Sequence, residues 1–218
     1  PYICVFCNQP RISGHQEMVT PTIIERAIEK AIAEQGQMGQ WEVAYFGGSF
    51  TAIPRKLQDT LLAPATDAYR KGWIRGIRIS TRPDAICIER LQELYAAGVR
   101  TIELGVQTLN GSMLIDAKRG HTVEDVELAC AHIRQQGITL GIQLLPGLPG
   151  ETWQTLVETA VRAGRLQADI CRIYPVLVIE DTELADRVRQ GSYTPLTIEE
   201  AVAYSAFLKT YLEKQGTK

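Results

Sequence analysis

Short apolar runs at 43–46, 77–81, 101–107, 138–145 and 170–178 alternate with segments of helical period at about 21–35, 55–71, 88–97, 122–136, 151–165, 181–190 and 197–214. This β-α alternation restricts the fold more than any other feature, because strands joined through helices run parallel and need helices packed against them. Helix starts are marked. Thr20-Pro21 places a capping oxygen before a proline at the first helical position, and TVED at 122 and TIEE at 197 put an acid three residues after a capping Thr. Gly36, Gly72, Gly98, Gly137 and Gly191 fall where the periodic segments stop. Five strands in 218 residues suit a partial (β/α) barrel as well as a doubly wound sheet. With no linker, low-complexity segment or exact repeat, one domain over 1–218 is expected.

Side chains alternate between the two faces of a strand. In TIELGVQ, Ile102, Leu104 and Val106 share one face and Glu103, Gly105 and Gln107 the other; in IRIST, Ile77 and Ile79 oppose Arg78 and Ser80. In ITLGIQLL, Gln143 opposes Ile142 and Leu144, and in ICRIYP, Arg172 and Tyr174 oppose Cys171 and Ile173. A parallel sheet sandwiched between helices is apolar on both faces. Here one face carries Arg78, Ser80, Glu103, Gln107, Gln143 and Arg172, and burying a polar group without a partner costs roughly 1–3 kcal/mol. Two readings stay open. Either Glu103 neutralises Arg78 or Arg172 inside a barrel, or a polar lumen holds a polar ligand near the C-terminal strand ends. Glu103, Arg172 and Tyr174 are the candidates for the substrate side of such a lumen, Tyr174 reading equally as packing.

Composition removes other classes. The chain is 45% hydrophobic and 22% charged with a formal charge of −2, as globular domains are. No apolar run approaches the roughly 18 residues a membrane span needs, so no membrane partner is expected. No basic-then-apolar leader is read at the start, and the slightly acidic balance gives no nucleic-acid footprint of its own. The five cysteines are odd in number and scattered, which points to a reducing, cytoplasmic setting rather than a disulfide framework. Cys87, Cys130 and Cys171 read as small buried thiols. Cys4 and Cys7, two residues apart in CVFCNQPRISG, have ligand spacing. His15 and His121 read as solvated loop histidines, and Leu94 and Tyr95 as core.

Three elements follow strand ends: Gly47-Gly48-Ser49, the segment Lys118-Arg119-Gly120-His121, and Pro146-Gly147-Leu148-Pro149-Gly150-Glu151. Glycines there let a backbone approach a ligand without a Cβ in the way. They equally suit plain turns, or for PGLPGE a helix entry with Glu151 near the positive helix end.

Taken in order and spacing, CVFCNQPRISG, YFGGSFTAIP, IRISTRPD, TIELGVQ, KRGHT, GLPGE and RIYPVLVIEDTEL resemble the radical S-adenosylmethionine (radical SAM) enzymes, and within them the radical domain of the Elongator catalytic subunit and its bacterial relatives. The resemblance covers nearly the whole chain and implies a partial (β/α)6 TIM-type barrel. The superfamily carries a C-x3-C-x-aromatic-C motif after its first barrel strand. Cys4 and Cys7 match the last two cysteines and Phe6 the aromatic, with Pro1-Tyr2-Ile3 as intervening residues. The first cysteine is therefore expected immediately before Pro1 and the first strand before that, leaving the chain truncated and, by itself, without a full ligand set.

The resemblance implies a 4Fe-4S cluster on three thiolates with one open iron. It also implies S-adenosylmethionine chelating that iron, and a 5′-deoxyadenosyl radical that takes hydrogen from a substrate. It assigns Cys4 and Cys7 to the metal, Gly47 and Gly48 to the methionine amino group, and Gln107 to the ribose. Arg119 falls to the methionine carboxylate, Phe6 to the adenine border, and Ser80 and Gln143 to cofactor contacts where porphyrinogen-acting relatives have carboxylates. The substrate is a tRNA base, inherited from relatives, or a small molecule. The electron donor is a protein such as a flavodoxin or ferredoxin. The acetyltransferase domain of the Elongator subunit is not visible in these residues, so acetyl transfer is not assigned. Two other readings remain: a cluster-free (β/α) barrel enzyme that binds a phosphate through GGS and PGLPGE, and a non-catalytic scaffold that has lost its cluster.

Overall fold

A computed structural model describes residues 4–9, 19–35 and 39–218. Gly36, His15 and residues 10–14 of the CVFCNQPRISG motif lie outside them. Helix α1 (Pro21–Gln35) opens as the sequence predicts, with the Ile23 amide donating to Thr20 Oγ1 at 3.4 Å. There follow β1 (Trp41–Tyr45), α2 (Arg55–Arg70), β2 (Ile74–Thr81), α3 (Ile88–Ala96), β3 (Val99–Gln107), α4 (Gly111–Asp116), α5 (Val123–Gln135), β4 (Thr139–Leu144), α6 (Trp153–Arg165), β5 (Ile170–Ile173), α7 (Glu183–Arg189) and α8 (Ile198–Lys214). Reciprocal capping boxes form at Thr122 with Asp125 and at Thr197 with Glu200. Thr152 and Thr155 make another that starts α6 two residues later than expected.

The five strands are parallel and lie in the order β1-β2-β3-β4-β5. A doubly wound sheet reverses its strand order at a switch point. This one never reverses, so its helices stay on one side and the sheet curls into a half-barrel. The doubly wound alternative is thereby removed. Ile77, Ile79, Ile102, Leu104, Val106, Leu140, Ile142 and Leu144 are fully buried on the helical side and pack on Leu62, Leu91, Leu94, Ile133 and Leu156. The faces divide as the alternation predicts.

Some elements differ from the sequence reading. Strand β5 stops at Ile173, short of 178, because Pro146 on the neighbouring segment has no amide to return a bond to the Tyr174 carbonyl. The chain still tracks β4, with Tyr174 N–H on the Leu144 carbonyl and Val176 N–H on that of Pro146, both at 2.9 Å. Helix α4 was not predicted; its six residues are too short for a period, and Asn110 caps it through Met113 N–H. Cys130 is buried and Cys171 partly so, whereas Cys87 is exposed at the entry to α3. Tyr95 is also exposed, with the Arg100 guanidinium 4.1 Å from its ring centroid, while Leu94 is core.

Candidate active site

The turn bearing Cys4 and Cys7 is held at the C-terminal end of the half-barrel. Val5 N–H donates to the Ala117 carbonyl at 3.3 Å, Leu184 N–H donates to the Val5 carbonyl at 2.8 Å, and Cys7 N–H closes on the Cys4 carbonyl at 3.0 Å. Val5 sits in a second apolar cluster with Met113, Ala117, Leu145, Leu148, Val176 and Leu184, against which Phe6 packs. This cluster fastens the turn to the loops after β3, β4 and β5. Burial pushes the Cys7 thiol up, Cys4 adds to that, and Arg119 opposes it.

Arg119 is buried beneath the turn. Its Nη1 donates to Cys4 Sγ at 3.1 Å, its Nη2 donates to the Gly105 carbonyl at 2.7 Å, and the guanidinium lies 5.8 Å from the Phe6 centroid. Gly105 is required for this approach, since a Cβ there would lie 2.8 Å from Gln107 Nε2 and 3.1 Å from Arg119 Nη2. Gln107 ends β3 with φ 72°, a left-handed backbone few non-glycine residues adopt. His121 is buried rather than solvated, a correction to the sequence reading: it folds in beside Arg119. Desolvation, with Arg119 adding, pushes its imidazole down to about 4, while the nearby Val106 carbonyl pulls the other way.

These residues test whether a polar group fits. Among the described residues, five buried side-chain polar atoms have no hydrogen-bond partner, and four of them are Gln107 Oε1, Arg119 Nε and the two His121 ring nitrogens. Buried polar atoms are normally satisfied. Their concentration beside Cys4 marks a place where a polar ligand completes the structure. No group of three or more His, Cys, Asp or Glu side chains placed to hold a metal occurs among the described residues. Cys4 and Cys7 alone make no such group, and the residues around them suit a bound polar cofactor.

On the lumen face a charge ladder crosses the sheet. Arg78 donates to Glu42 through Nε and Nη2 at 3.1 and 2.9 Å, and to Glu103 through Nη1 at 2.7 Å; Arg172 Nε lies 3.0 Å from the other Glu103 oxygen. Glu103 thus neutralises both arginines, the first of the two readings left open by the sequence. Sequence reasoning missed Glu42, because β1 was started two residues late at Val43. It also missed Gly141, over which Glu103 reaches from β3 to β5: a Cβ there would lie 2.8 Å from Glu103 Cγ. Arg172 Nη1 donates to the Tyr174 hydroxyl at 3.4 Å, and its guanidinium lies 5.0 Å from the Phe46 centroid. That last contact joins β5 to β1 and measures how far the sheet has curled. Ser80 and Gln143 are partly buried on the same face, with no side-chain hydrogen bond among the described residues.

The glycine turns differ from each other. Space is open above Gly48, and Gly47 meets only Gln9. Behind them, Thr51 N–H and hydroxyl both bond to Thr81 Oγ1 and tie the turn to the end of β2. PGLPGE is closed: the Glu151 carboxylate accepts from Gly147 N–H and Tyr193 donates to the Gly147 carbonyl. A carboxylate already fills the position a phosphate would take, which counts against the phosphate-binding alternative.

A parallel half-barrel with a polar lumen, and with a paired-cysteine turn and unsatisfied polar groups at its C-terminal strand ends, is an enzyme scaffold that takes its ligand at that end. More particularly, residues 1–163 match the radical SAM superfamily and residues 168–216 the radical SAM C-terminal domain; the chain belongs to the radical SAM superfamily. A tRNA uridine(34) acetyltransferase of Methanocaldococcus jannaschii is 34% identical over 139 residues, covering 62% of this chain and 26% of that protein. The solved Elp3 of Methanocaldococcus infernus superposes with a TM-score of 0.78 at 25% identity, covering 93% of this chain and 52% of that one. TsrM of Kitasatospora setae, solved with cobalamin and a [4Fe-4S] cluster bound, shares the fold with a TM-score of 0.63 at 18% identity, over 87% of this chain and 37% of its own. The chain thus spans about a quarter of the first of these relatives and about half of the second. No helix among the described residues is long and apolar enough to cross a membrane.

Proposed function

We propose that this chain is the cofactor-binding core of a radical SAM enzyme that modifies a base of tRNA. The observation that carries the cofactor half is the pair of unpartnered buried atoms, Gln107 Oε1 and Arg119 Nε, on the side chains packed beneath Cys4; the tRNA half rests on the relatives. When bound, the 4Fe-4S cluster and S-adenosylmethionine supply one-electron chemistry that ends in hydrogen-atom abstraction from the substrate. Cys4 and Cys7 hold iron, and a full cluster calls for a third thiolate. Gln107 Oε1 accepts a hydrogen bond from a ribose hydroxyl, and Arg119 offers Nε to a carboxylate while keeping its charge beside the Cys4 sulfur. The exposed Gly47-Gly48 backbone receives the methionine end, with Phe6 along the adenine and Ser80 as a further polar contact, while Gln143, in register with Arg172, is left to the substrate side. Glu103 holds Arg172 in place, so Arg172 and Tyr174 face the substrate. A flavodoxin or ferredoxin supplies the electron, in the cytoplasm.

The test is anaerobic reconstitution of the full reading frame with iron and sulfide. The expected outcome is four irons per chain with the visible absorption of a cluster, calorimetric binding of S-adenosylmethionine, and loss of both in Cys7→Ala. A codon other than Cys before that of Pro1, or S-adenosylmethionine consumption that survives Cys7→Ala, overturns the reading.

A further inference from the structure

At the mouth of the lumen three planar groups converge from opposite edges of the sheet: Phe46 just after β1, Arg172 on β5 and Tyr174 just beyond it. Phe46 is 50% exposed and Tyr174 46% exposed, so both rings are open to a ligand entering the lumen. Arg172 is oriented rather than loose. Its Nε is held by Glu103, its Nη1 reaches the Tyr174 hydroxyl, and its plane lies near the Phe46 ring. Its Nη2 has no partner among the described residues. Gln143, in register with Arg172 on the neighbouring strand, presents a free side-chain amide on the same face.

Charge decides what kind of group fits. Each carboxylate of the ladder is shared, Glu42 by Arg78 and the exposed Arg75 at 3.5 Å and Glu103 by Arg78 and Arg172, so no arginine of the ladder is left unpaired for a phosphate. What it offers is aromatic and guanidinium surface for a flat ring, with N–H donors and an amide at the edge. Single-stranded nucleic acid is read in this manner, by stacking on aromatic and Arg planes with hydrogen bonds to the base edge.

We propose that Phe46, Arg172 and Tyr174 form a stacking platform for one unstacked nucleobase, and that Arg172 Nη2 and Gln143 read its carbonyl-bearing edge, making these residues determinants of substrate specificity. The inference rests on the reading of the lumen as the substrate side of the site, and extends it by naming what grips the base.

The test is equilibrium binding of a hairpin RNA with a uridine in its loop, against the same hairpin with an abasic nucleotide at that position. Wild-type protein is expected to prefer the base-bearing hairpin by roughly tenfold or more. Phe46→Ala and Tyr174→Ala should erase that preference while leaving affinity for the abasic hairpin unchanged, and Tyr174→Phe should retain most of it. Both rings are half exposed, so the variants should fold, and unchanged melting curves check this. Equal affinity for the two hairpins in wild type, or equal loss for both in the alanine variants, overturns the platform. Because binding is also measured on iron-free protein, the two readings separate. Preference without cluster formation would keep the platform and sink the radical reading, and a functioning cluster without preference would do the reverse.

Discussion

Arg119 concentrates the chemistry of the site in one side chain. Its fork satisfies the Gly105 carbonyl and faces the Cys4 sulfur, while Nε stays open. A lysine keeps the charge but cannot span both acceptors. Arg119→Lys should leave a buried acceptor unpaired and cost about 1–3 kcal/mol in urea unfolding, with S-adenosylmethionine affinity of the reconstituted enzyme falling at least severalfold. Stability equal to wild type would mean that the fork is not needed. The sequence marked Arg119 through its place after KRGH's lysine, and family likeness supplied its role. It could not reveal that His121 is buried, because a loop histidine looks solvated until the fold packs β3 and Arg119 around it. Cys87 and Tyr95 failed for the converse reason: a helix period assigns a face, but only the packed neighbours decide how deeply that face is covered.

At the level of elements, β4 contributes by what it lacks. Gly141 leaves the gap through which Glu103 reaches Arg172, so Gly141→Ala drives a methyl into Glu103 Cγ. The expected cost is about 1–3 kcal/mol, the range for overpacking a filled interior. In a Glu103→Ala background the same change should cost far less, since the obstructed carboxylate is gone, and a double-mutant cycle in urea measures the difference. Additive costs would show that Glu103 and Gly141 are not coupled. Alternation makes most of this lumen face legible in the sequence, since period 2 survives wherever a strand has one apolar side. It lost Glu42 because Trp41 and Glu42 precede the apolar core of β1, and it overran β5 because Val176 and Val178 continue the pattern after Pro146, opposite, has ended the ladder. A glycine gives no signal of its own across a sheet. Gly141 matters only through the register that sets it beside Glu103.

For the molecule as a whole, two apolar clusters fasten the site from opposite sides: the main core beneath the sheet, and the smaller one over the strand ends that clamps Val5. The loops of that upper layer bury two groups whose titrations oppose each other. Desolvation raises Glu151 from 4.5 to about 7, the Gly147 N–H offsetting part of this, and desolvation lowers His121 from 6.5 to about 4. For a carboxyl with a raised folded pKa, the stabilisation is complete below pH 4.5 and is lost as pH climbs to about 7. For an imidazole with a lowered one, it is complete above 6.5 and is lost as pH falls toward 4. Between pH 4.5 and 6.5 the two slopes run in opposite directions and flatten the wild-type profile. Glu151→Gln keeps an acceptor for Gly147 N–H but cannot ionise, so it removes only the first slope. Its melting temperature relative to wild type should rise with pH between about 4.5 and 7, by on the order of 10 °C in total, and stay level above that. Below pH 4.5 the difference should not change. Thermal unfolding in steps of pH reads this directly, and a difference independent of pH across the window would mean that Glu151 ionises as freely in the folded chain as in the unfolded one.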